Sequence, residues 1–227
     1  MTTVKQLFRN TSEYTSKRIV LKGWIRNNRA QKEFGFINFH DGSFFDTLQI
    51  VYEEKLENFK DIQKFRVGSA IEVEGDLVLT PNNKQKFEVK AEKIILLGDS
   101  PEDYPIQPKR HTREFLREVA HLRPRTNLFQ AVFRLRSVAA MAVHTFFQEK
   151  GFVYTHTPLI TANDGEGAGQ MFTVTTLPLE NLPLTENKNI DFSKDFFGKH
   201  TNLTVTGQLE GEAYAMAFRN IYTFGPT

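Results

Sequence analysis

Five strand-like runs, broken once by a stripe of helical period, occupy the stretch from Arg18 to Gly98. A short N-terminal helix comes first. From Arg18 to Arg26 (RIVLKGWIR) β-branched and aromatic residues dominate with few breakers, as a strand requires. Phe34 to His40 and Phe45 to Val51 flank Asp41-Gly42-Ser43, a hairpin turn signal, and are expected to pair antiparallel. Leu56, Phe59, Ile62 and Phe65 then recur every three residues, which predicts a helix with Glu53 and Glu54 in its first turn. Ile71, Val73, Leu77 and Leu79 alternate, Pro81-Asn82-Asn83 turns the chain, and Phe87, Val89 and Ala91 alternate again before IILLG.

Three strands, a helix and two further strands in this order predict an OB-fold, a Greek-key barrel whose outer face commonly binds oligonucleotides. Alternation sorts the residues. If Ile37, Phe39, Leu48 and Ile50 point inward, then Phe36, Asn38, Thr47 and Gln49 point outward. Phe36 then has Gln49 on the neighbouring strand, with Arg26 and Arg29 at the end of the first strand and its loop. Such a set can stack a base, hydrogen-bond its edge and hold phosphates, as in recognition of single-stranded RNA loops. The alternative is that another domain covers Phe36 and the arginines form a solvated face.

Asp99 to Arg110 (DSPEDYPIQPKR) holds three prolines and no apolar period, which marks a stiff connection between domains. A basic run follows through Lys109, Arg110, Arg113, Arg117, Arg123, Arg125, Arg134 and Arg136, opposed by Glu114 and Glu118. It can meet an RNA backbone or be spent on ion pairs within helix faces and between subunits. Leu128, Val132, Leu135, Ala139, Ala142 and Phe146 predict a long helix from Leu128 to Lys150, capped by Asn127 or Thr126 and ended at Gly151. Phe152 to Ile160 (FVYTHTPLI) reads as a strand with Pro158 near its end, where the missing amide donor implies an edge or an interface.

Composition narrows the classes. With no cysteine the chain has neither disulfides nor thiolate chemistry. Its N-terminus lacks the apolar core of a secretory signal, and no run of about 18 apolar residues is present to span a bilayer, so a cytoplasmic protein is expected. A net charge of +2 is too small to argue nucleic-acid binding by itself.

GFVYTHTPLI with Pro158 resembles motif 1 of the class II aminoacyl-tRNA synthetases, in which the long helix and strand form the interface of a homodimer. The hinge YPIQPKRHTREFLREVAHLRPRTN and the later FFGKHTNLTVTGQLEGEAYAMAF are similar to the asparaginyl-tRNA synthetases, and the likeness covers essentially the whole chain. It implies an all-β OB-fold anticodon-binding domain at 1–97, a hinge at 98–110, and at 111–227 the first part of an α+β catalytic domain built on an antiparallel sheet with helices. By matching positions, Arg26, Arg29, Phe36 and Gln49 contact the anticodon of tRNA(Asn). The segment TANDGEGAGQMF resembles the lid over the bound amino acid, with Glu166 meeting the substrate ammonium and Gly165, Gly167 and Gly169 supplying backbone freedom. Its G-x-G-x-G is not a phosphate loop: Gln170, Met171 and Phe172 offer no arginine, and no P-loop lysine follows. In TGQLEGE the resemblance places Gln208 at the backbone end of the substrate. Related aspartate enzymes carry a lysine where Gly211 stands, and Glu212 can accept hydrogen bonds from the NH₂ of an asparagine amide. Glu210 is expected to face solvent.

The resemblance further implies activation of asparagine by ATP with Mg²⁺ and transfer to tRNA(Asn), with no metal held by this chain's residues. The sequence ends RNIYTFGPT where the arginine-bearing part of motif 2 is expected, so no complete catalytic set is anticipated and the chain alone is expected to be inactive. The other reading is a non-catalytic tRNA-binding or dimerising member of the same family. Three positions depart from the pattern of the asparagine enzymes: Gly165 replaces a cysteine, Gln170 a glutamate and Thr206 a serine.

Overall fold

The inward set read from alternation is the core of a closed barrel. A computed structural model describes residues 2–83, 85–163 and 170–225, which divide into two units, Met1–Leu135 and Arg136–Thr227.

In the first unit, α1 (Val4–Arg9) and α2 (Thr11–Tyr14) lead into β1 (Arg18–Ala30), β2 (Phe34–His40), β3 (Leu48–Glu53), α3 (Phe59–Ile62), β4 (Ala70–Leu79) and β5 (Phe87–Gly98). The strands close in the order β1-β2-β3-β5-β4, with β3 and β5 parallel and the other neighbours antiparallel. Ile37, Phe39, Leu48 and Ile50 are fully buried inside, joined by Leu21, Tyr52, Ile71, Val73, Leu77 and Val89. Burial strictly alternates along β4 until its end. Thr3 caps α1 through a reciprocal pair of hydrogen bonds with Gln6, and Val4 and Leu7 plug the barrel.

Two expectations need correction here. The helix read over 53–65 is only Phe59–Ile62, because Glu53 is still in β3, paired with Phe34. Leu56, Phe59, Ile62 and Phe65 nevertheless keep their period of three. Backbone amides of Leu56, Phe59, Asp61, Lys64 and Phe65 each donate to the carbonyl three residues earlier, so tight turns satisfy the same apolar spacing. Likewise, the strand expected from Phe45 begins at Leu48, after bends through the preceding residues.

Beyond the barrel lie α4 (Arg113–Glu118), capped by Thr112, a 3-10 turn at Arg123–Arg125, and the long α5 (Asn127–Glu149), within which the two units divide. Tyr104, Ile106 and Leu116 make a small second core. Thr126 Oγ1 accepts from the amide of Phe129 at the start of α5, and Gly151 takes φ +78° just past its end.

The second unit continues with β6 (Val153–Tyr154), β7 (Ile160–Thr161), β8 (Thr173–Val174), a 3-10 turn at Phe192–Lys194, β9 (Thr201–Leu203), α6 (Gln208–Phe218) and β10 (Ile221–Tyr222). The single strand expected over Phe152–Ile160 is thus two. β6 pairs parallel with β10, whereas β7 pairs antiparallel with β9, which also receives β8. Pro158 stands between them and has no amide to carry a ladder through. Asp195 is buried and organises the loop: its carboxylate accepts from the hydroxyls of Thr175 and Thr176 and from the amides of Thr176 and Phe196, which holds it well below the usual carboxylate range.

Candidate nucleic-acid interface

The outer face of β1, β2 and β3 is shaped by one irregularity. Ile25 pairs with Phe39 and Asn27 with Asn38, so Arg26 is an extra residue bulged out of the ladder. A bulge reverses the facing of everything beyond it. Strict alternation from the buried Ile25 puts Arg29 inside the barrel. With the bulge, Asn28 turns inward instead, where it accepts from the hydroxyl of Tyr52 and donates to the carbonyls of Ile62 and Phe65. Burial raises the Tyr52 hydroxyl to about 12. Arg29 then faces out opposite Phe36, its guanidinium 5.6 Å from the ring centre.

Phe36 also meets Phe34 edge-on at 5.4 Å. On β3, Gln49 faces the same way and donates from Nε2 to Glu88 at 2.9 Å. That bond fixes the amide, leaving Oε1 as an acceptor for a ligand edge. Arg29, Phe36, Gln49, Glu88 and Lys90 line a shallow concavity of about 790 Å³. Aromatic platform, polar edge and cation are therefore assembled on one surface. Arg26 is not part of that group. Its guanidinium donates to Asn127 Oδ1 at 2.9 Å and lies in a separate cleft with Trp24, His40, Tyr104 and Arg125. Glu88 and His40 also line these surfaces, and His40 shares the outward parity of Phe36 and Asn38 along the sequence.

Part of the basic run is spent internally. Arg123 lies over Phe129 and Arg125 over Tyr104, while Arg134 donates to the carbonyl of Gly42 at 2.7 Å and Arg117 sits 4.0 Å from Glu114.

In the second unit Gln208 and Glu212 lie one turn apart on α6, Nε2 donating to Oε1 at 3.2 Å. Thr206 Oγ1 accepts from the Gln208 amide, a bond that a serine in its place also makes. Gly207 approaches the Thr157 side chain too closely for a Cβ, and Gly211 is the buried residue of the helix, against Ile221. Glu212 is exposed and Glu210 half-buried. Glu166, with Gly165, Gly167 and Gly169, lies outside the described residues; Gln170 is exposed. Among the described residues no three His, Asp or Glu side chains converge as metal donors. No described helix is long and apolar enough to cross a membrane.

Residues 19–97 match the family of OB-fold nucleic acid binding domains of the tRNA anticodon type, and residues 112–226 match tRNA synthetases class II (D, K and N). The chain belongs to the class II tRNA synthetases. The asparagine–tRNA ligase of Acholeplasma laidlawii (strain PG-8A) is 64% identical to it over 226 residues, covering 99% of this chain and 49% of that protein. That of Acetivibrio thermocellus is 64% identical over 227 residues, covering 100% and 49%. The chain thus spans about half the length of the curated relatives it matches. Its fold is also that of the asparaginyl-tRNA synthetase from Pyrococcus horikoshii complexed with asparaginyl-adenylate, with a TM-score of 0.76 at 20% identity over 95% of this chain and 45% of that one. A putative aspartyl-tRNA synthetase from Leishmania major Friedlin gives 0.75 at 17% identity over 99% and 42%. In this class II synthetase chain, the anticodon-type match covers the barrel that carries Arg29, Phe36 and Gln49.

Proposed function

We propose that the chain supplies the anticodon-reading and amino-acid-recognising part of an asparagine–tRNA ligase, which joins asparagine to tRNA(Asn) with consumption of ATP. The observation that carries this reading is the outward group of Arg29, Phe36 and Gln49 on an OB barrel, held by the bulge at Arg26 and by Glu88. Phe36 stacks an anticodon base, Gln49 reads its edge and Arg29 holds charge beside it. Base–aromatic stacking contributes roughly 1–3 kcal/mol per base. Phe36→Ala is therefore expected to weaken binding of an asparagine tRNA transcript by about 5- to 150-fold in a filter-binding titration. Unchanged affinity removes the stacking role.

Amino-acid choice rests on α6. Gly211 supplies no cation for an acidic side chain, and Glu212, oriented by Gln208, accepts from the carboxamide of asparagine. A hydrogen bond to a charged group contributes about 1.5–3 kcal/mol. In the complete enzyme, Glu212→Gln should raise KM for asparagine by about tenfold or more, with KM for ATP little changed. Equal effects on both substrates point to a general structural defect instead. The whole ligase is assigned to a homodimer through α5 and the segment around Pro158, and to the cytoplasm.

A further inference from the structure

The turn that delivers the chain into α6 is held by threonine hydroxyls in series. After β9 ends at Leu203, the amide of Thr204 donates to the carbonyl of Leu159 at 2.8 Å, which ties the turn to the residue after Pro158. The hydroxyl of Thr204 then closes on residue 206 from both sides, donating to its carbonyl and accepting from its amide. Thr206 passes the constraint on. Its own hydroxyl accepts from the amide of Gln208 at 3.2 Å, and Gln208 Nε2 donates to Glu212 Oε1 at 3.2 Å. One connected path thus runs from Leu159 to the two side chains read above as the amino-acid site.

The start of a helix is where such support matters. Its first amides have no acceptor within the helix, and the N-cap residue ordinarily supplies one from its side chain. At α6 the N-cap is Gly207, which makes no side-chain bond. A side chain is excluded there, because a Cβ falls 2.4 Å from Thr157 Oγ1. Its φ of −94° is open to any residue, so close approach rather than backbone strain requires the glycine. Capping therefore moves back one residue to Thr206, in an irregular stretch whose backbone Thr204 holds. Gln208 is the first residue of α6, so its side chain follows the helix start directly, and Glu212 follows one turn later. A binding site of this kind works only when its groups are held to within about 0.5 Å.

We propose that Thr204 is a positioning residue for asparagine: its hydroxyl sets where α6 begins and so keeps Gln208 and Glu212 in the arrangement that receives the substrate. It acts through Thr206 and the backbone of Gln208, not by contact with the substrate. This role rests on the reading of Gln208 and Glu212 above, so Glu212→Gln is measured alongside.

In the complete enzyme, asparagine-dependent exchange of pyrophosphate into ATP is followed for Thr204→Val, which keeps the shape and removes the hydroxyl, and for Thr204→Ser, which keeps the hydroxyl. With both hydroxyl bonds lost, Thr204→Val is expected to raise KM for asparagine about fivefold or more, while KM for ATP and kcat stay within about twofold of the parent. Thr204→Ser should keep the parent's KM for asparagine. Gly207→Ala displaces the helix start by another route, against Thr157, and should show the same selective rise. In the Glu212→Gln background, Thr204→Val should raise KM by a smaller factor than it does alone, because both changes act on one site. Equal factors in the two backgrounds overturn the positioning role. So does a parent-like KM for asparagine in Thr204→Val or Gly207→Ala beside a raised one in Glu212→Gln, and the amino-acid reading then stands. A parent-like KM in Glu212→Gln removes that reading, and the role of Thr204 falls with it. A rise shared by KM for ATP, or equally large in Thr204→Ser, marks a general packing defect and also overturns the role.

Discussion

His40 shows how one side chain registers its surroundings. Burial, reinforced by the nearby Arg26 and Arg125 and only partly opposed by Asp41, holds its imidazole down at about 4. The folded state therefore keeps His40 neutral where the unfolded chain, with a pKa of about 6.5, takes up a proton. Its contribution to stability is fully present above pH ~6.5 and declines as pH falls from there toward 4, by at most about 1.4 kcal/mol per pH unit. Between pH 7 and 5, where few carboxylates titrate, the urea midpoint read by Trp24 fluorescence should fall for the wild-type chain and fall less for His40→Gln. Equal slopes in both proteins mean that His40 is not the group responsible. Trp24 suits the measurement because its ring lies 5.6 Å from that of His40.

At the scale of elements, the barrel depends on places where a side chain is absent. Gly35 faces inward on β2, and a Cβ built there falls within the ring of Tyr52, which is fully buried and tied to Asn28. Overpacking of a tight core costs about 1–3 kcal/mol. Gly35→Ala should accordingly lower the urea midpoint of the barrel by that amount, whereas Gly42→Ala, in an open turn at φ +79°, tests backbone strain alone. A Gly35→Ala chain as stable as the parent shows that Tyr52 can move aside. The bulge at Arg26 belongs to the same scale. Extended strands alone predict Ile25, Asn27 and Arg29 on one face, and one unpaired residue reassigns Arg29 to the face that carries Phe36.

Over the whole molecule, burial is uneven. Twenty buried side chains form the barrel core, while α5 has no buried residue and leaves Leu135 at 71% and Met141 at 63% exposure. An apolar stripe of this kind along a 23-residue helix calls for a cover. In the homodimer proposed above a second copy would provide one, continuous with the segment around Pro158. Sedimentation equilibrium at several concentrations should show self-association of the chain, and Met141→Asp should shift it toward monomer by placing a charge in the apolar contact. Monomer at every concentration in the parent chain removes this assignment.

Residue order alone settled the barrel, its inner and outer faces, the placement of Phe36 and Gln49, and the long helix, because each rests on a period that local sterics impose. Family likeness likewise lay in short runs such as TGQLEGE, where composition and spacing are local. The bulge that separates Arg26 from Arg29, the tether of Gln49 to Glu88, the turns in place of a helix before Phe59 and the split of the Phe152–Ile160 run arose only in three dimensions. Apart from those turns, whose bonds span three residues, each depends on hydrogen-bond partners distant in sequence, and no period along the chain encodes which carbonyl or carboxylate will be within reach.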